Sequence, residues 1–364
     1  MAKSGLDDVV AAETVLSHVD GEGGHLIIRG FALDELAGHV ATEQAIALLL
    51  HGFFPDLPDR GTLAAALGAA RVAVFAEVET SGAGLAQLDP IESVRALMAR
   101  LDDGDDLDVA LKLIAAPAVF TPAMLRLRKG LAPIAPDAAL SHAADTLRML
   151  TGDTPSKERA AALDAYLVIV CDHGLNASTF AARVVASTQA GLASAVLAGL
   201  SALKGPLHGG APGPVLDMFD DIGAPENAER WLDDAVMRGE RLMGFGHRVY
   251  RVRDPRADAL KSALRKLAAS GGVDDARVAF AEAVEKAALT VLRRRKPGRS
   301  LDVNVDFYTV LLLEALGFSR DAFTCVFAMG RVPGWIAHAR EQVLEGRLMR
   351  PQSRYVGPMP KQAA

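Results

Sequence analysis

Residues 184–203 carry no charge. They read Val-Val-Ala-Ser-Thr-Gln-Ala-Gly-Leu-Ala-Ser-Ala-Val-Leu-Ala-Gly-Leu-Ser-Ala-Leu. Such a stretch is long enough to span a bilayer, but Ser, Thr, Gln and Gly dilute its hydrophobicity and no other segment behaves alike. A helix apolar on every side is otherwise an interior helix of a large protein, and small residues admit close helix neighbours. The stretch therefore predicts one central helix, suited to a subunit contact. The chain can surround it: 364 residues, half of them hydrophobic and only 5% aromatic, imply a large core of Ala, Leu, Val and Ile. That length suits one large or two interlocked domains.

Helical apolar periodicity covers most of the remainder, at about 42–52, 60–77, 89–102, 107–116, 138–151, 154–170, 214–221, 227–238, 257–269 and 281–295, with one or two helices over 321–345. Residues 130–137 form a Gly/Pro-rich connector, and 348–358 an extended basic tail. Strand signal is confined to about 13–29, where Asp20-Gly21 marks a two-residue hairpin; Asp34-Glu35 then opens a helix. The fold class is mostly all-α with a small N-terminal β-ribbon. His18 and His25 in the ribbon read as surface or packing residues. The acidic turn 102–106 lacks a calcium-loop pattern.

The net charge of −6 argues against a nucleic-acid protein, whose binding needs a basic face. Cys171 and Cys325 lie in apolar runs without metal spacing, which predicts buried free thiols in a reducing compartment. No apolar signal region follows Met1, so a cytoplasmic protein is expected.

The chemistry concentrates in a few stretches. Met243-Gly-Phe-Gly-His-Arg-Val-Tyr-Arg-Val-Arg-Asp-Pro-Arg256 places His247 after Gly244 and Gly246, which permit close backbone approach, and before Arg248, Arg251, Arg253 and Arg256. Histidine is the side chain suited to proton exchange near neutrality, and the arginines suit an anion. In Cys171-Asp-His-Gly-Leu-Asn-Ala-Ser-Thr179, His173 and Asn176 either brace the next helix, which Ser178 or Thr179 would cap, or face a ligand. His208 lies in Lys204-Gly-Pro-Leu-His-Gly-Gly-Ala-Pro212, too rich in Gly and Pro for a helix. Asp306 stands at the start of an apolar helix, as a cap or as a base. Arg331 sits in apolar surroundings and wants an anionic partner. There is no Gly-x-Gly-x-x-Gly after a strand, no Walker loop and no histidine pair at metal spacing. Two loop histidines, a carboxylate and isolated arginines suit proton transfer on a carbonyl compound bearing carboxylates.

These stretches resemble the citrate synthase family. Gly-Pro-Leu-His-Gly-Gly-Ala (205–211), Met-Gly-Phe-Gly-His-Arg-Val-Tyr (243–250) with Asp-Pro-Arg (254–256), Asn-Val-Asp-Phe-Tyr (304–308) and Gly-Trp-Ile-Ala-His (334–338) match in the family's order. Asp-His…Leu-Asn-Ala-Ser-Thr (172–179) and Asp-Gly-Glu…Arg-Gly (20–30) also match. The chain departs from many relatives at Gly174, Ile28 and Pro212, and matches poorly over 60–137.

The resemblance implies two helical domains, residues 1–212 with 318–364 and residues 213–317, closing on the substrates. It implies Si-type condensation of acetyl-CoA with oxaloacetate to citrate and CoA, as in the tricarboxylic acid cycle, with acyl-CoA as co-substrate and no permanent cofactor or metal. Asp306 would be the base, His208 would stabilise the enol, and His247 would polarise and protonate the oxaloacetate carbonyl. His173, Arg256 and Arg331 would hold carboxylates, with Arg350 contributed across a dimer. Arg251, and more weakly Arg248 and Arg253, would meet CoA beside Gly244 and Gly246. A homodimer or higher oligomer is implied, without nucleic acid or membrane. Alternatives are a 2-methylcitrate synthase using propionyl-CoA, a citrate-cleaving lyase, or a catalytically weak CoA- or dicarboxylate-binding regulator.

Overall fold

The computed structural model describes residues 9–209, 213–247, 249–299 and 301–360. The chain opens on an antiparallel ribbon of β1 (Ser17–Asp20), β2 (His25–Ile28) and a short β3 (Phe31–Ala32), paired in that order. The helices that follow are α1 (Leu33–Leu36), α2 (Thr42–Leu50), α3 (Arg60–Glu77), α4 (Ala83–Leu85), α5 (Pro90–Met98), α6 (Leu107–Arg128), α7 (His142–Thr151) and α8 (Lys157–Val170). Next come α9 (Ala177–Ala186), α10 (Leu192–Leu203), α11 (Gly213–Ile222), α12 (Ala228–Met237), α13 (Pro255–Ala269), α14 (Asp275–Arg295), α15 (Val305–Ala315) and α16 (Phe323–Glu345). The mostly helical class and the N-terminal ribbon are as the sequence predicts. His18 and His25 are exposed on it, and Cys171 and Cys325 are buried free thiols.

The centre of the molecule is not the element the sequence singled out. Residues 184–203 are two helices, broken over 187–191. Ser187 and Thr188 turn their hydroxyls back onto the carbonyls of Val184 and Val185, satisfying the end of α9 locally. Gln189 and Gly191 then take left-handed φ of 62° and 92°. The acidic turn supplies the restart: Asp103 accepts from the Ala193 and Ser194 amides at 2.8 and 3.1 Å and caps α10 from a distance. The buried axis is instead α16. It runs unbroken through Pro333 and packs on α2, α6, α8, α9 and α10.

Helix α6 likewise continues through Pro117 and Pro122, well past the end expected at 116. Interior proline is costly, but every residue from Leu113 to Met124 is buried, and that burial outweighs the lost hydrogen bonds. Leu107–Arg128 and Gly61–Leu85 are apolar and long enough to cross a membrane; α6 is enclosed by α3, α5, α7 and α16. The hairpin differs too. Asp20 accepts from the Glu22 and Gly23 amides and Gly24 adopts φ 71°, so the turn is a four-residue loop, not a two-residue one. Asn176, not Ser178 or Thr179, caps α9, receiving both their amides at 3.1 Å.

Backbone contact between α16 and the end of α8 leaves no room for a side chain at Gly334, where a Cβ would lie 2.2 Å from the Cys171 carbonyl oxygen. Gly→Ala inside an exposed helix gains about 1 kcal/mol. Here overpacking reverses the sign, and Gly334→Ala should cost about 1–3 kcal/mol, read as a lower urea midpoint with an unchanged slope.

Candidate active site

Two short segments dock on each other through their backbones. The Gly246 amide donates to the Asp302 carbonyl at 2.7 Å and the Asn304 amide to the Gly244 carbonyl at 2.9 Å, while Asn304 Nδ2 donates to the Gly246 carbonyl at 2.8 Å. Phe245 and Val303 form the bridge between them. The glycines are required locally. Both have φ near 80°, and a Cβ would meet Phe307 at 3.0 Å from Gly244 and Leu301 at 2.9 Å from Gly246. Asn304 also caps α15, accepting from the Asp306 amide at 3.0 Å. Asp306 is therefore not the cap. Burial pushes its carboxyl up to about 6, against the lowering effect of Arg256, which places its titration within reach of neutral pH.

His247 follows this docked loop. Its Nδ1 accepts from the Val249 and Tyr250 amides at 3.0 and 3.1 Å, so the neutral ring carries its proton on Nε2. That Nε2 lies 3.1 Å from Arg256 Nη2. Two donors thus converge on one place, an arrangement relieved by an oxygen that accepts from both. Arg256 is held from behind by Asp254, which takes Nε at 3.0 Å and Nη2 at 2.8 Å. The same carboxylate accepts the Val305 amide at 3.2 Å, joining Arg256 to the start of the Asp306 helix.

His173 stands on the other side, its ring centroid 5.8 Å from that of His247 and its Nε2 3.1 Å from the Tyr250 hydroxyl. Arg331 is 1% exposed. Among the described residues its hydrogen bond is to the Val170 carbonyl, at 2.7 Å, and no carboxylate forms an ion pair with it. Its guanidinium lies over the Phe327 ring. Burial lowers Arg331 to about 10, which still leaves it charged. His208 Nε2 is 2.8 Å from Ser178 Oγ, which also receives the Trp335 indole N–H. Burial, then the nearby arginines, hold His173 well below the ordinary range and bring His208 and His247 each down to about 4. All three rings are neutral at pH 7.

Beneath these groups lies a buried relay. Arg183 Nη1 donates to His338 Nδ1 at 2.9 Å, His338 Nε2 to Asp172 at 3.1 Å, and the Ser17 hydroxyl to Asp172 at 2.5 Å. Ser17 Oγ in turn receives the Gly174 amide at 2.8 Å. The relay pins β1, α9 and α16 under His173. Gly174, one of the departures from many relatives, has φ 61°, a conformation glycine adopts without strain.

The comparisons with known proteins agree with this architecture. The family described as "Citrate synthase, C-terminal domain" matches residues 5–352. The chain belongs to the citrate synthase family. A citrate synthase of Haloferax volcanii is 36% identical, covering 98% of this chain and 96% of the relative. A 2-methylcitrate synthase of Mycobacterium tuberculosis is also 36% identical, covering 98% and 90%. The crystal structure of Thermotoga maritima citrate synthase superposes with a TM-score of 0.86 at 32% identity, covering 100% of this chain and 98% of that one. A Thermoplasma acidophilum citrate synthase in ternary complex with carboxymethyl coenzyme A and oxaloacetate gives 0.84 at 30%, covering 99% and 97%.

Of the residues singled out from sequence, His173, His247 and Arg256 meet directly, while Arg331 and Asp306 lie close enough to act on them electrostatically. His208 joins through Arg331. Arg251 is exposed, with its amide bonded to the Gly21 carbonyl, and Arg350 is exposed in the tail. Arg248 lies outside the described residues. Arg253 is engaged by Asp258, Glu285 and Asp302. Sequence reasoning gave no role to Asp254, Tyr250, Asp172 or His338, and read Ser178 only as a helix cap. All of these stood inside the matched motifs, which was the signal available.

The raised Asp306 carboxyl has a stability consequence. A native value near 6 against an unperturbed 3.8 favours folding below about pH 4 and is a cost above about pH 6. Asp306→Asn should therefore stabilise the protein at pH 8 by on the order of 3 kcal/mol, the gain fading as pH falls through 6 towards 4. Urea titrations at pH 8, 6 and 4 check this.

Proposed function

We propose that this protein is a citrate synthase proper, condensing acetyl-CoA with oxaloacetate. The observation that carries the reading is the pair of buried arginines beside neutral histidines. Arg256 is offset by Asp254, but Arg331 has no ion-pair partner among the described residues, and a buried unpaired charge asks for a counter-ion. A small dicarboxylate with a carbonyl group meets that demand. One carboxylate would lie on Arg331 and another near Arg256 and His173, with the ketone oxygen accepting from His247 Nε2.

In this mechanism Asp306 removes a proton from the acetyl methyl group. His208 hydrogen-bonds the thioester oxygen as charge develops there, since base and oxygen-side donor must act together on so weak an acid. The Ser178 hydroxyl lies 2.8 Å from both Asn176 Oδ1 and His208 Nε2; the role given to His208 requires that hydroxyl to donate to Nε2, which leaves Nδ1–H to face the thioester oxygen. The enol carbon then attacks the ketone, on its Si face by family resemblance, as His247 protonates the oxygen. Hydrolysis of the thioester releases citrate and CoA.

We further propose the two-domain division at about residues 213–317, with closure excluding water, and a cytoplasmic homodimer in which the partner's tail brings Arg350 to the site. The exposed tail, with Leu348, Tyr355 and Val356 open to solvent, supports that arrangement. Propionyl-CoA is the second reading for the acyl donor: the 2-methylcitrate synthase relative is as similar as the citrate synthase one, and one methylene is worth only about 1–3 kcal/mol.

Release of free thiol from acetyl-CoA and propionyl-CoA, with and without oxaloacetate, tests the proposal. Oxaloacetate-dependent release is expected, with the higher kcat/KM for acetyl-CoA; a higher value for propionyl-CoA would reassign the donor, and no release with either would reject condensation. Asp306→Ala should abolish turnover and methyl-proton exchange while oxaloacetate still binds. Arg331→Ala should weaken oxaloacetate binding on the order of 10²-fold, measured by calorimetry; unchanged affinity would remove it from the site.

A further inference from the structure

A single buried carboxylate behind the site touches each element that carries its C-terminal half. Glu285 on α14 is 5% exposed. Its Oε1 accepts from Arg253 at 2.6 Å, and its Oε2 accepts from Lys261 Nζ at 2.8 Å and from the Tyr308 hydroxyl. Burial alone would raise this carboxyl, but the three donors hold it below its usual range. Each donor belongs to a different element. Arg253 directly precedes Asp254, the residue that holds Arg256. Lys261 is on α13, the helix that Asp254 caps, and its ammonium also lies 5.4 Å from the Tyr308 ring centroid. Tyr308 is on α15, two residues after Asp306. Positions two apart on a helix are about 200° apart around its axis, so Tyr308 anchors the back of the turn from which Asp306 projects.

We infer that Glu285 is a positioning residue: it clamps the His247–Arg256 loop, α13 and the Asp306 helix into one register from behind. Arg253 also reaches Asp302 at 3.2 Å, inside the segment that docks on Gly246, so the clamp and the backbone pairing act on the same joint. Of the groups assigned to substrate, Glu285 touches only Arg253, a weak candidate for CoA. Its effect reaches them through Arg253–Asp254–Arg256 and through Tyr308–Asp306. The kinetic part of the inference rests on the condensation reading; the structural part does not.

The test compares Glu285→Gln and Tyr308→Phe with Glu282→Gln, a control on the same helix whose ion pairs with Lys261 and Arg265 are partly exposed. Backbone hydrogen exchange is followed in peptides covering 244–247 and 302–306, with 107–128 as an internal reference. Exchange in both segments should quicken by about 10-fold in Glu285→Gln and Tyr308→Phe, with the reference and the control unchanged. In the thiol-release assay kcat should fall about 10-fold or more, because small misplacements of reacting groups cost that much, while KM values change less. Tyr308→Phe removes one hydroxyl and carries the test if Glu285→Gln fails to fold. Wild-type exchange in both segments for both variants would overturn the inference, leaving Glu285 an internal ion pair. If the wild-type protein shows no oxaloacetate-dependent release, the functional reading fails and the exchange data alone decide the clamp.

Discussion

The backbone pairing of residues 244–246 with 302–304 is the joint on which the site depends. It is short, but it brings together side chains almost sixty residues apart in the chain. Gly244 and Gly246 make it possible, since a Cβ at either would strike the segment opposite. Once it forms, His247 leaves one strand of the pair and Asp306 the other, and Asp254 ties the loop end to the helix start through the Val305 amide. A carboxyl raised towards neutral pH and an imidazole with a defined tautomer are products of this joint.

Burial decides the charge state of what the joint assembles. Beside two buried guanidiniums, imidazoles lose the incentive to protonate, and His173, His208 and His247 are neutral where a solvent-exposed histidine would be partly charged. A neutral imidazole donates from one nitrogen and accepts at the other. Each second partner therefore matters as much as the ring: the backbone amides behind His247, Ser178 behind His208, Tyr250 beside His173. The relay from Arg183 through His338 and Asp172 to Ser17 gives the same support to the floor of the site, and ties the N-terminal ribbon to α16.

Much of the fold was legible in the chain. Apolar periodicity located most helices, and the absence of alternation outside the N-terminus correctly excluded a large sheet. Errors arose where local rules met tertiary burial. The helix expected to end at 116 continues through Pro117 and Pro122 because α6 is enclosed by its neighbours. The uncharged stretch 184–203 promised one helix, yet Ser187 and Thr188 close α9 with their own hydroxyls and Asp103, about ninety residues earlier, restarts α10. The hairpin took a four-residue turn because the Asp20 carboxylate captured the Glu22 and Gly23 amides.

By itself, the sequence determined the helical class and the family, because periodicity and motif order are properties of the linear chain. It also determined where glycine had to stand. Which groups face one another was decided only by the tertiary structure: that Asn304 rather than Asp306 caps α15, that Asp254 holds Arg256, that Arg331 lies buried with a carbonyl for its partner, and that Glu285 gathers three donors behind the site. The physical reason is that pKa, tautomer and ion pairing depend on distance and desolvation, and both are set by packing between segments far apart in the chain.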